Sequence, residues 1–470
     1  MFDFTTMEQG AANRLTDKGF ISLELANFIT SKSRSMMTAG ERYYKGDHDI
    51  MNKVRTTIGA DGTVETIQNV PNNKIVDNQY KKMVNQKKNY LFGKPFTIQS
   101  DDDNYTQQLN LIFNDNFMVL MKNLGKDALN CGLAWLFVNY DEQGNLKFKR
   151  FAPHEVLPFW RDNEHTVLDC AVRIYDVVSY EGTMKEIIKK VEVYDDEGIT
   201  YFEYRSGSLI PVEPWHENYF MVDAQAFNWE RIPLVAFKYN ADETPLIQMV
   251  KSLQDGLNKI ESEFQDNMEE DARNTIMVLV NYDGEDLGEF RHNLAAYGAV
   301  KVRSTDGVSG DVKTLQVEVN AENYKAIISI FKKAIIENAM GYDAKDDRLG
   351  GNANQMNIQS IYNDIDLDAN DMDTEFRSSM QNLMWFIDCH LQNTGMGDFS
   401  KSQATVRFNR DMLLNTGEAI DNCRNSEGLL STRTILANHP FVSDVDAELE
   451  AIKQEKAESI DTMGFNNGDE

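Results

Sequence analysis

Cysteine is scarce in this sequence, and none of the usual pairing or metal-binding patterns occurs. The four cysteines, Cys131, Cys170, Cys389 and Cys423, are far apart, and there is no C-x-x-C pair. This spacing is not typical of a disulfide framework or a zinc site, and it favours assembly in a reducing, intracellular compartment.

Long apolar runs are also missing. No stretch approaches the roughly 18 apolar residues that a membrane-spanning helix needs. The N-terminal segment MFDFTT has neither the basic region nor the apolar region of a signal peptide. We therefore expect no membrane partner and no secretory signal.

The common catalytic motifs are absent. The lone Gly125-Lys126 pair lacks the upstream glycine and the hydroxyl residue of a phosphate-binding P-loop, and no H-E-x-x-H occurs. The seven histidines are dispersed, and Asp47-His48-Asp49 is more typical of a surface loop than of a metal site. We expect no catalytic residue, no cofactor and no bound metal.

Positive charge is in short supply. The 470 residues carry a formal net charge of −28, which argues against a surface that holds nucleic acid tightly, although it does not exclude nucleic acid sliding past. Hydrophobic residues make up 41% of the chain, enough to build real cores. The length suggests about three domains.

The first half of the chain predicts an α+β fold, mainly helical. One helix is expected over 22–44, one over 72–91 and two short ones over 105–130, with a hairpin over 56–67 and antiparallel strands between 132 and 239. We interpret the lysines of the second helix as a solvated face, because few aromatic residues are interleaved for base stacking: Lys74, Lys81, Lys82, Lys87 and Lys88. The tryptophans here are expected in the core or in interfaces: Trp135, Trp160, Trp215 and Trp229.

The second half predicts long helices around a small module and a loop. Thr244 caps a helix that reaches about residue 273, a compact α/β module follows over 276–319, and Gly341 ends the next helix. Within the module, a short helix is expected over 286–296 and a strand over 299–303. A polar loop over 341–355 then leads into a helix of almost forty residues. A strand at 405–409 is expected to rejoin the earlier sheet, and the C-terminus is helical, with Ser431 at the start of one helix. Loops longer than about 12 residues are usually functional or disordered.

Acidic residues cluster in the first half of the long helix. Four of them share one helical face at i, i+4, i+7 and i+11: Asp364, Asp368, Asp371 and Glu375. A calcium loop is the alternative, but Ala369 stands where the sharp turn needs glycine. A two-metal nuclease is a second alternative, which the missing lysine or histidine helpers and the helical spacing disfavour. We interpret the cluster as an acidic helix face.

The order and spacing of several segments resemble the portal proteins of tailed bacteriophages, in particular those of long-tailed phages of Gram-positive bacteria. The segments that carry the resemblance are Tyr43-Tyr44-Lys45-Gly46, NKIVDNQY from Asn73, YLFGKPF from Tyr90, the helix from Pro245, and Asn338-Ala-Met-Gly341 with the helix after Gln355. No single segment is as specific as a P-loop. The resemblance covers nearly the whole chain.

The resemblance implies a portal-protein fold in which a ring of twelve subunits surrounds an axial channel. Its regions would be a strand-rich wing over 1–243, completed by a long helix and a returning strand over 356–415; stem helices over 244–275 and 320–340; a small α/β clip over 276–319; a tunnel loop over 341–355; and a helical crown with a C-terminal tail over 416–470. The ring would stand at one capsid vertex of the virion, after assembly in the host cytoplasm.

The resemblance also implies a channel function. Double-stranded DNA would pass inward during packaging and outward during ejection, and terminase, major capsid, scaffolding and head–tail connector proteins would be partners. The candidate DNA-contacting residues of the tunnel loop are Lys345, Arg348, Gly350, Gly351 and Asn352, and the possible basic channel lining is Lys325, Lys332 and Lys333. A disordered linker is the alternative for the loop, and surface lysines or intersubunit ion pairs are the alternative for the cations. A non-phage structural ring or a nuclease remain the rival functions.

Overall fold

The computed structural model describes residues 18–58, 62–67, 70–222, 225–271, 276–280, 311–315, 321–345, 355–410, 416–442, 445 and 448–455. Long helices and antiparallel sheets occur together, which confirms the α+β class. The described chain forms two compact units. The larger unit contains the described residues of 18–38, 83–246 and 339–455, and the smaller unit those of 39–82 and 247–338.

The described helices lie in both halves of the chain. They are α1 Lys18–Ile29, α2 Lys32–Lys45, α3 Gln79–Phe92, α4 Asp103–Ile112, α5 Asp115–Cys131, α6 Leu246–Asp271, α7 Ala321–Asn338, α8 Gln355–Asn393, α9 Thr416–Asn425 and α10 Thr432–Ala437. The single helix predicted over 22–44 is wrong. The Ser31 hydroxyl accepts the backbone N–H of Arg34 at 3.1 Å, so it caps α2 and separates it from α1.

The strands form several antiparallel sheets. They are β1 Thr56–Ile58, β2 Val64–Thr66, β3 Thr97–Ser100, β4 Leu133–Tyr140, β5 Leu146–Phe151, β6 Val156–Trp160, β7 Leu168–Glu181, β8 Met184–Tyr194, β9 Ile199–Arg205, β10 Ser208–Glu217, β11 Phe220–Val222, β12 Gln225–Phe227, β13 Leu234–Lys238, β14 Ile276–Val280, β15 Asp311–Leu315 and β16 Ala404–Arg407. The larger unit contains a five-stranded sheet, β10-β9-β8-β7-β6, and a three-stranded sheet, β13-β4-β5. The predicted hairpin over 56–67 is confirmed as β1–β2.

The core of the larger unit lies between its sheets and its helices. Trp135 of β4 and Trp160 of β6 stack with ring centroids 5.9 Å apart, and Phe28 of α1 packs against the five-stranded sheet. The Ser379 hydroxyl of α8 donates to the carbonyl of Ala236 in β13 at 2.7 Å. Burial of the tryptophans is confirmed for Trp135, Trp160 and Trp229, whereas Trp215 is exposed.

The strand predicted at 405–409 does not rejoin either of these sheets. β16 pairs instead with β3 in a separate two-stranded ladder, from Ala404 opposite Ser100 to Arg407 opposite Thr97. Phe96 and Phe408, which flank these strands, pack together with their ring centroids 5.7 Å apart. The paired aromatics fix the register, because they bury apolar surface at one end of the ladder.

A row of buried polar side chains organises the smaller unit. They are spaced four residues apart on α6 and are called the polar ladder below: Gln254, Asn258, Ser262 and Asp266. The helix predicted from Asn72 or Asn73 begins only at Gln79, because the ladder takes the backbone N–H groups of the preceding segment. Asp266 accepts the N–H of Asn73 at 2.6 Å, and Asn258 accepts that of Asp77 at 3.1 Å. The segment is therefore extended rather than helical.

Parts of the predicted layout lie outside the described residues. Of the module over 276–319, only β14 and β15 are described, and they pair from Ile276 with Leu315 to Val280 with Asp311. The helix predicted over 286–296 and the strand predicted over 299–303 are not among the described residues. Ser431 begins α10 as predicted, with its hydroxyl accepting the N–H of Thr434 at 3.2 Å. Among the described helices, none combines the length and hydropathy needed to cross a bilayer.

Candidate functional site

The glycine-rich loop joins α7, which ends at Asn338, to α8, which begins at Gln355. The structure describes residues 339–345 of this connection. Lys345 is exposed, and its N–H donates to the Asp343 carboxylate at 3.0 Å in a local turn. Four residues predicted to contact DNA lie outside the described residues: Arg348, Gly350, Gly351 and Asn352. Their role stays a prediction.

The turn that leaves α7 is made by Met340 rather than by Gly341. Met340 has φ +49°, the left-handed conformation that we had predicted for the glycine. Side chains of α3 hold this backbone. The Lys87 ammonium donates to the Met340 carbonyl at 3.3 Å, and the Gln86 amide donates to the Tyr342 carbonyl at 2.9 Å. A left-handed non-glycine residue costs about 1–2 kcal/mol, which these contacts offset.

A buried ion pair stands beside this turn. The Lys87 ammonium lies 2.6 Å from the Asp368 carboxylate of α8, and the Lys87 side chain is only 2% exposed. The Tyr239 hydroxyl also donates to Asp368. Burial lowers the pKa of Lys87, and the charge of Asp368 opposes this shift. The prediction of a solvated lysine face on this helix is therefore wrong for Lys87.

Aromatic residues complete the attachment of the loop. The Tyr342 ring stacks on Tyr362 of α8 with centroids 4.5 Å apart, and Tyr90 of α3 lies 5.9 Å from the same ring. The Tyr90 hydroxyl donates to Asp366 at 2.5 Å, and Arg410 donates to Asp366 at 2.6 Å. Burial, together with the bond to Asp366, raises the pKa of Tyr90.

These contacts define a rigid base, called the loop anchor below. Its members connect α3, the start of the loop and the first half of α8 within the larger unit: Gln86, Lys87, Tyr90, Met340, Tyr342, Tyr362 and Asp368. Sequence reasoning missed the anchor, because its hydrogen bonds and its ion pair join residues more than 250 positions apart; only the Tyr342–Tyr362 stack is closer in sequence. In the sequence, the only sign of these contacts is a tyrosine near each end of the loop, Tyr342 and Tyr362.

The predicted acidic face divides into two environments. Asp364 and Asp371 are exposed and Glu375 is half-buried, whereas Asp368 turns to Lys87. The four residues therefore do not form one uniform acidic face, because Asp368 is largely buried beside Lys87. The segment 364–375 is continuous helix, so the turn of a calcium loop is not formed. Among the described residues, no group of three or more His, Cys, Asp or Glu side chains is arranged to hold a metal ion.

The other candidate cations belong to α7 in the smaller unit. Lys325 is exposed. Lys333 is also exposed and lies 3.8 Å from Glu337 one turn away. Lys332 lies 2.6 Å from Asp77 and 3.3 Å from Glu261. Although burial acts to lower it, the hydrogen bond to Asp77 raises the pKa of Lys332. Lys332 and Lys333 thus both have carboxylate partners within the chain, and Lys332 has the shorter and less exposed pair.

Comparison with known proteins identifies a family and several relatives to which this chain is similar. The family profile described as "Phage portal protein, SPP1 Gp6-like" matches residues 29–462. The portal protein of Bacillus phage SPP1 is 29% identical over 447 residues, which cover 94% of this chain and 87% of that protein. The portal protein of Clostridium phage phiCD119 is 28% identical over 437 residues, which cover 90% of this chain and 93% of that protein.

A solved structure titled as the neck of an empty GTA particle is also similar, with a TM-score of 0.41 and 13% identity over 77% of this chain and 90% of that chain. The profile match is the decisive finding, because it extends over nearly all of the sequence and confirms the resemblance predicted above. The chain belongs to the phage portal protein family of the SPP1 Gp6-like type.

Proposed function

We propose that twelve copies of this chain form a ring at one capsid vertex, and that double-stranded DNA passes through the ring during packaging and ejection. The observation that carries this proposal is the family match over residues 29–462. The ring closes through a heterologous interface, in which two different surfaces of each subunit meet, because only such contacts generate rings of this size.

The charge of the chain suits a conduit for DNA. Each phosphate that a protein neutralises adds affinity, so a strongly basic wall would stall a moving duplex. With a net charge of −28, the ring repels the duplex over most of its surface and keeps it centred. A few cations provide weak contacts, with Lys345 and Arg348 in the loop and Lys325 and Lys333 on α7 as candidates. The energy for packaging comes from a separate terminase motor.

The loop over 341–355 is the moving contact. Its glycines, Gly341, Gly350 and Gly351, lower the cost of changing backbone conformation. The loop anchor fixes the base of the loop through the Lys87–Asp368 pair and the Tyr342–Tyr362 stack. A loop with a rigid base yields to the advancing duplex without unfolding the helices beside it.

The partners are the proteins of the phage head. The module over 276–319 docks terminase during packaging and the head–tail connector afterwards, and the other surfaces meet scaffolding and major capsid proteins. The ring assembles in the host cytoplasm and then resides in the virion. Deleting residues 284–308 should leave the larger unit folded and abolish connector attachment, whereas normal tail joining by that deletion would show that another surface docks the connector.

Electron microscopy of the purified protein tests the proposal most directly. We expect closed rings with a central hole, and light scattering at micromolar concentration should give the mass of a large oligomer. Replacing Gly350 and Gly351 together with proline should preserve these rings and lower DNA packaging yield. Monomers or dimers that capsid proteins leave unchanged would refute the ring.

A further inference from the structure

The outer half of the β7–β8 hairpin extends beyond the five-stranded sheet. β6 pairs with β7 only as far as Arg173, and β9 pairs with β8 only from Lys190. Among the described strands, residues 176–181 and 184–189 pair only with each other. They form a two-stranded ribbon about 20 Å long at about 3.3 Å per residue. We call residues 176–189 the arm.

Both faces of the arm carry apolar side chains, and the face that also carries lysine is called the apolar face below; the opposite face carries Met184 and Glu186. Val178 lies opposite Ile187, and Tyr180 lies opposite Lys185, so these four side chains share a face. Tyr180 is 66% exposed, and Val178 and Ile187 are about half exposed. A two-stranded ribbon is marginally stable alone in water. An apolar face on such a ribbon is therefore a surface that a partner covers.

The larger unit also contains a wide cleft of about 1220 Å³ with an aromatic lining, called the aromatic cleft below. Tyr140 and Trp229 stack with centroids 5.5 Å apart, and Phe220 packs on both. Phe227 and Trp385 line the same cleft. Phe227 belongs to the β11–β12 hairpin, whose side chains at Met221 and Val222 are exposed.

The cleft is acidic as well as aromatic. Five carboxylates line it: Asp141, Glu142, Glu230, Asp388 and Asp398. In the part of the chain that the structure describes, no lysine or arginine lines it, and of these five only Asp141 has an ion-pair partner, Lys147 at 3.4 Å. Arg231 lies over the Trp385 ring, 4.5 Å from its centroid, but it is not a lining residue. The cleft therefore suits an apolar occupant that carries cations.

One face of the arm has this chemistry, whereas the opposite face carries Glu186. The apolar face carries Lys185 beside Tyr180, and Lys189 beside Ile187, with Asp176 paired to Lys189 at 3.0 Å. None of the described arm residues lines the cleft of its own subunit. A heterologous ring requires two different surfaces that fit each other. Each subunit has one arm and one cleft, so every interface between neighbouring subunits would contain one of each. We infer that the arm of one subunit docks in the aromatic cleft of the next, an inference that rests on the ring proposed above.

A cysteine cross-linking experiment tests the docking. Cys389 lines the cleft, whereas the other cysteines, Cys131, Cys170 and Cys423, are buried. Val178→Cys, Tyr180→Cys and Ile187→Cys each place a thiol on the apolar face of the arm. Ser179→Cys and Glu186→Cys place one on the opposite face as matched controls. A short bismaleimide added to purified rings should join subunits through Cys389.

The expected result is a ladder of covalent oligomers on a denaturing gel for the apolar-face variants. The opposite-face controls and the same variants with Cys389→Ser should remain monomeric. Adding Lys185→Glu to the Tyr180→Cys variant should slow cross-linking about threefold or more, whereas Lys185→Arg should not, because the acidic cleft repels the new carboxylate.

Two other outcomes overturn the inference and are distinguishable. Rings seen by microscopy that give no ladder from any apolar-face variant would place the arm elsewhere, and equal ladders from both faces would show that the apolar face does not dock in the cleft. Both results leave the proposed function intact. A wild-type protein that forms no rings would remove the proposed function, and the docking with it.

Discussion

The loop anchor of the larger unit and the polar ladder of the smaller unit perform the same task with different chemistry. Each holds an irregular backbone segment against a long helix. The anchor uses one buried charge pair, Lys87 with Asp368, and aromatic stacking. The ladder spreads the task over successive helical turns, where the neutral Asn258 and Ser262 accept backbone N–H groups and Asp266 pairs with Lys53 at 2.6 Å. The anchor therefore depends mainly on one ion pair, whereas the ladder shares the stabilisation between one ion pair and several neutral hydrogen bonds.

This difference predicts how each region fails. Removing one member of a buried charge pair leaves an uncompensated charge, whereas removing one neutral hydrogen-bonding group leaves a smaller desolvation cost. The two units also can be followed separately. All five tryptophans lie in the larger unit: Trp135, Trp160, Trp215, Trp229 and Trp385. Tryptophan fluorescence thus reports the larger unit, and amide exchange at residues 73–80 reports the ladder.

The largest effect is expected from Lys87→Met. It should lower the free energy of unfolding of the larger unit by about 3–5 kcal/mol, because Asp368 is left charged and partly buried without its cation. Urea titration followed by tryptophan fluorescence measures this. The double variant Lys87→Met, Asp368→Asn should lose less than the sum of the two single changes. Strict additivity of the two would show that the pair is not coupled.

The next effect is expected from Asn258→Leu in the ladder. The side-chain oxygen of Asn258 accepts the backbone N–H of Asp77 and the side-chain amide of Gln254, and its amide nitrogen donates to the His48 ring. Leaving these groups unsatisfied should cost about 1–3 kcal/mol. The backbone amides of 73–80 should exchange correspondingly faster. Lys259→Leu is the control at the neighbouring, exposed position of the same helix and should change exchange little. Equal exchange in the two variants would contradict the ladder.

A smaller effect is expected with pH and distinguishes the two regions. Burial lowers the pKa of His48, while the nearby Asp255 acts to raise it and Arg42 acts to lower it. One ring nitrogen of His48 accepts a hydrogen bond from Asn258, and the other donates to the Tyr43 carbonyl. The lowered pKa means that the stabilisation is complete above about pH 6.5 and is lost as pH falls below that value. The slope is at most about 1.4 kcal/mol per pH unit.

The measurement is amide exchange at residues 73–80 between pH 7.5 and pH 5.5, corrected for the intrinsic exchange rate. His48→Gln should remove this part of the pH dependence. The loop anchor contains no histidine, so the fluorescence-detected stability of the larger unit should not respond to the substitution. A His48→Gln variant with the wild-type pH dependence would assign the effect to carboxylates instead.

The smallest effect is expected at the turn of the loop anchor. Met340→Gly should raise the stability of the larger unit by about 0.5–1 kcal/mol, because glycine adopts φ +49° without steric cost. Met340→Ala is the matched control. It removes the same side chain but keeps the steric cost, so it should lower stability. None of the four residues that define the polar ladder has a left-handed backbone conformation, so glycine substitution there would relieve no backbone strain. Two variants with equal stability would show that the turn is unstrained.

Much of the helical layout was predictable from local patterns. The periodic apolar residues and the caps located α6, α7 and α8 to within a few residues, and Ser431 marked the start of α10. Helix ends that depend on a distant partner were missed. α3 starts at Gln79 because Asn258 and Asp266, nearly two hundred residues away, bind the backbone before it. Local propensity carries no information on such a partner.

The candidate site divides in the same way. Loop composition and the resemblance to portal proteins marked 341–355 as the part that contacts DNA, and this stays a proposal. The identity of the left-handed residue, Met340 rather than Gly341, followed only from the contacts of Lys87 and Gln86. In the sequence, Lys87 has the pattern of a solvated lysine on a polar helix. Only the tertiary structure, which puts Asp368 beside it, shows that Lys87 is buried.

The sequence by itself determined the composition of the cores, the long helices, the α+β class and membership of the portal family, because these depend on periodicity and on the order of segments. Tertiary structure alone decided which polar residues are buried, which strands pair and which surfaces remain uncovered. The physical reason is that burial, ion pairing and sheet register arise from residues distant in the chain, such as Lys87 with Asp368 and β3 with β16.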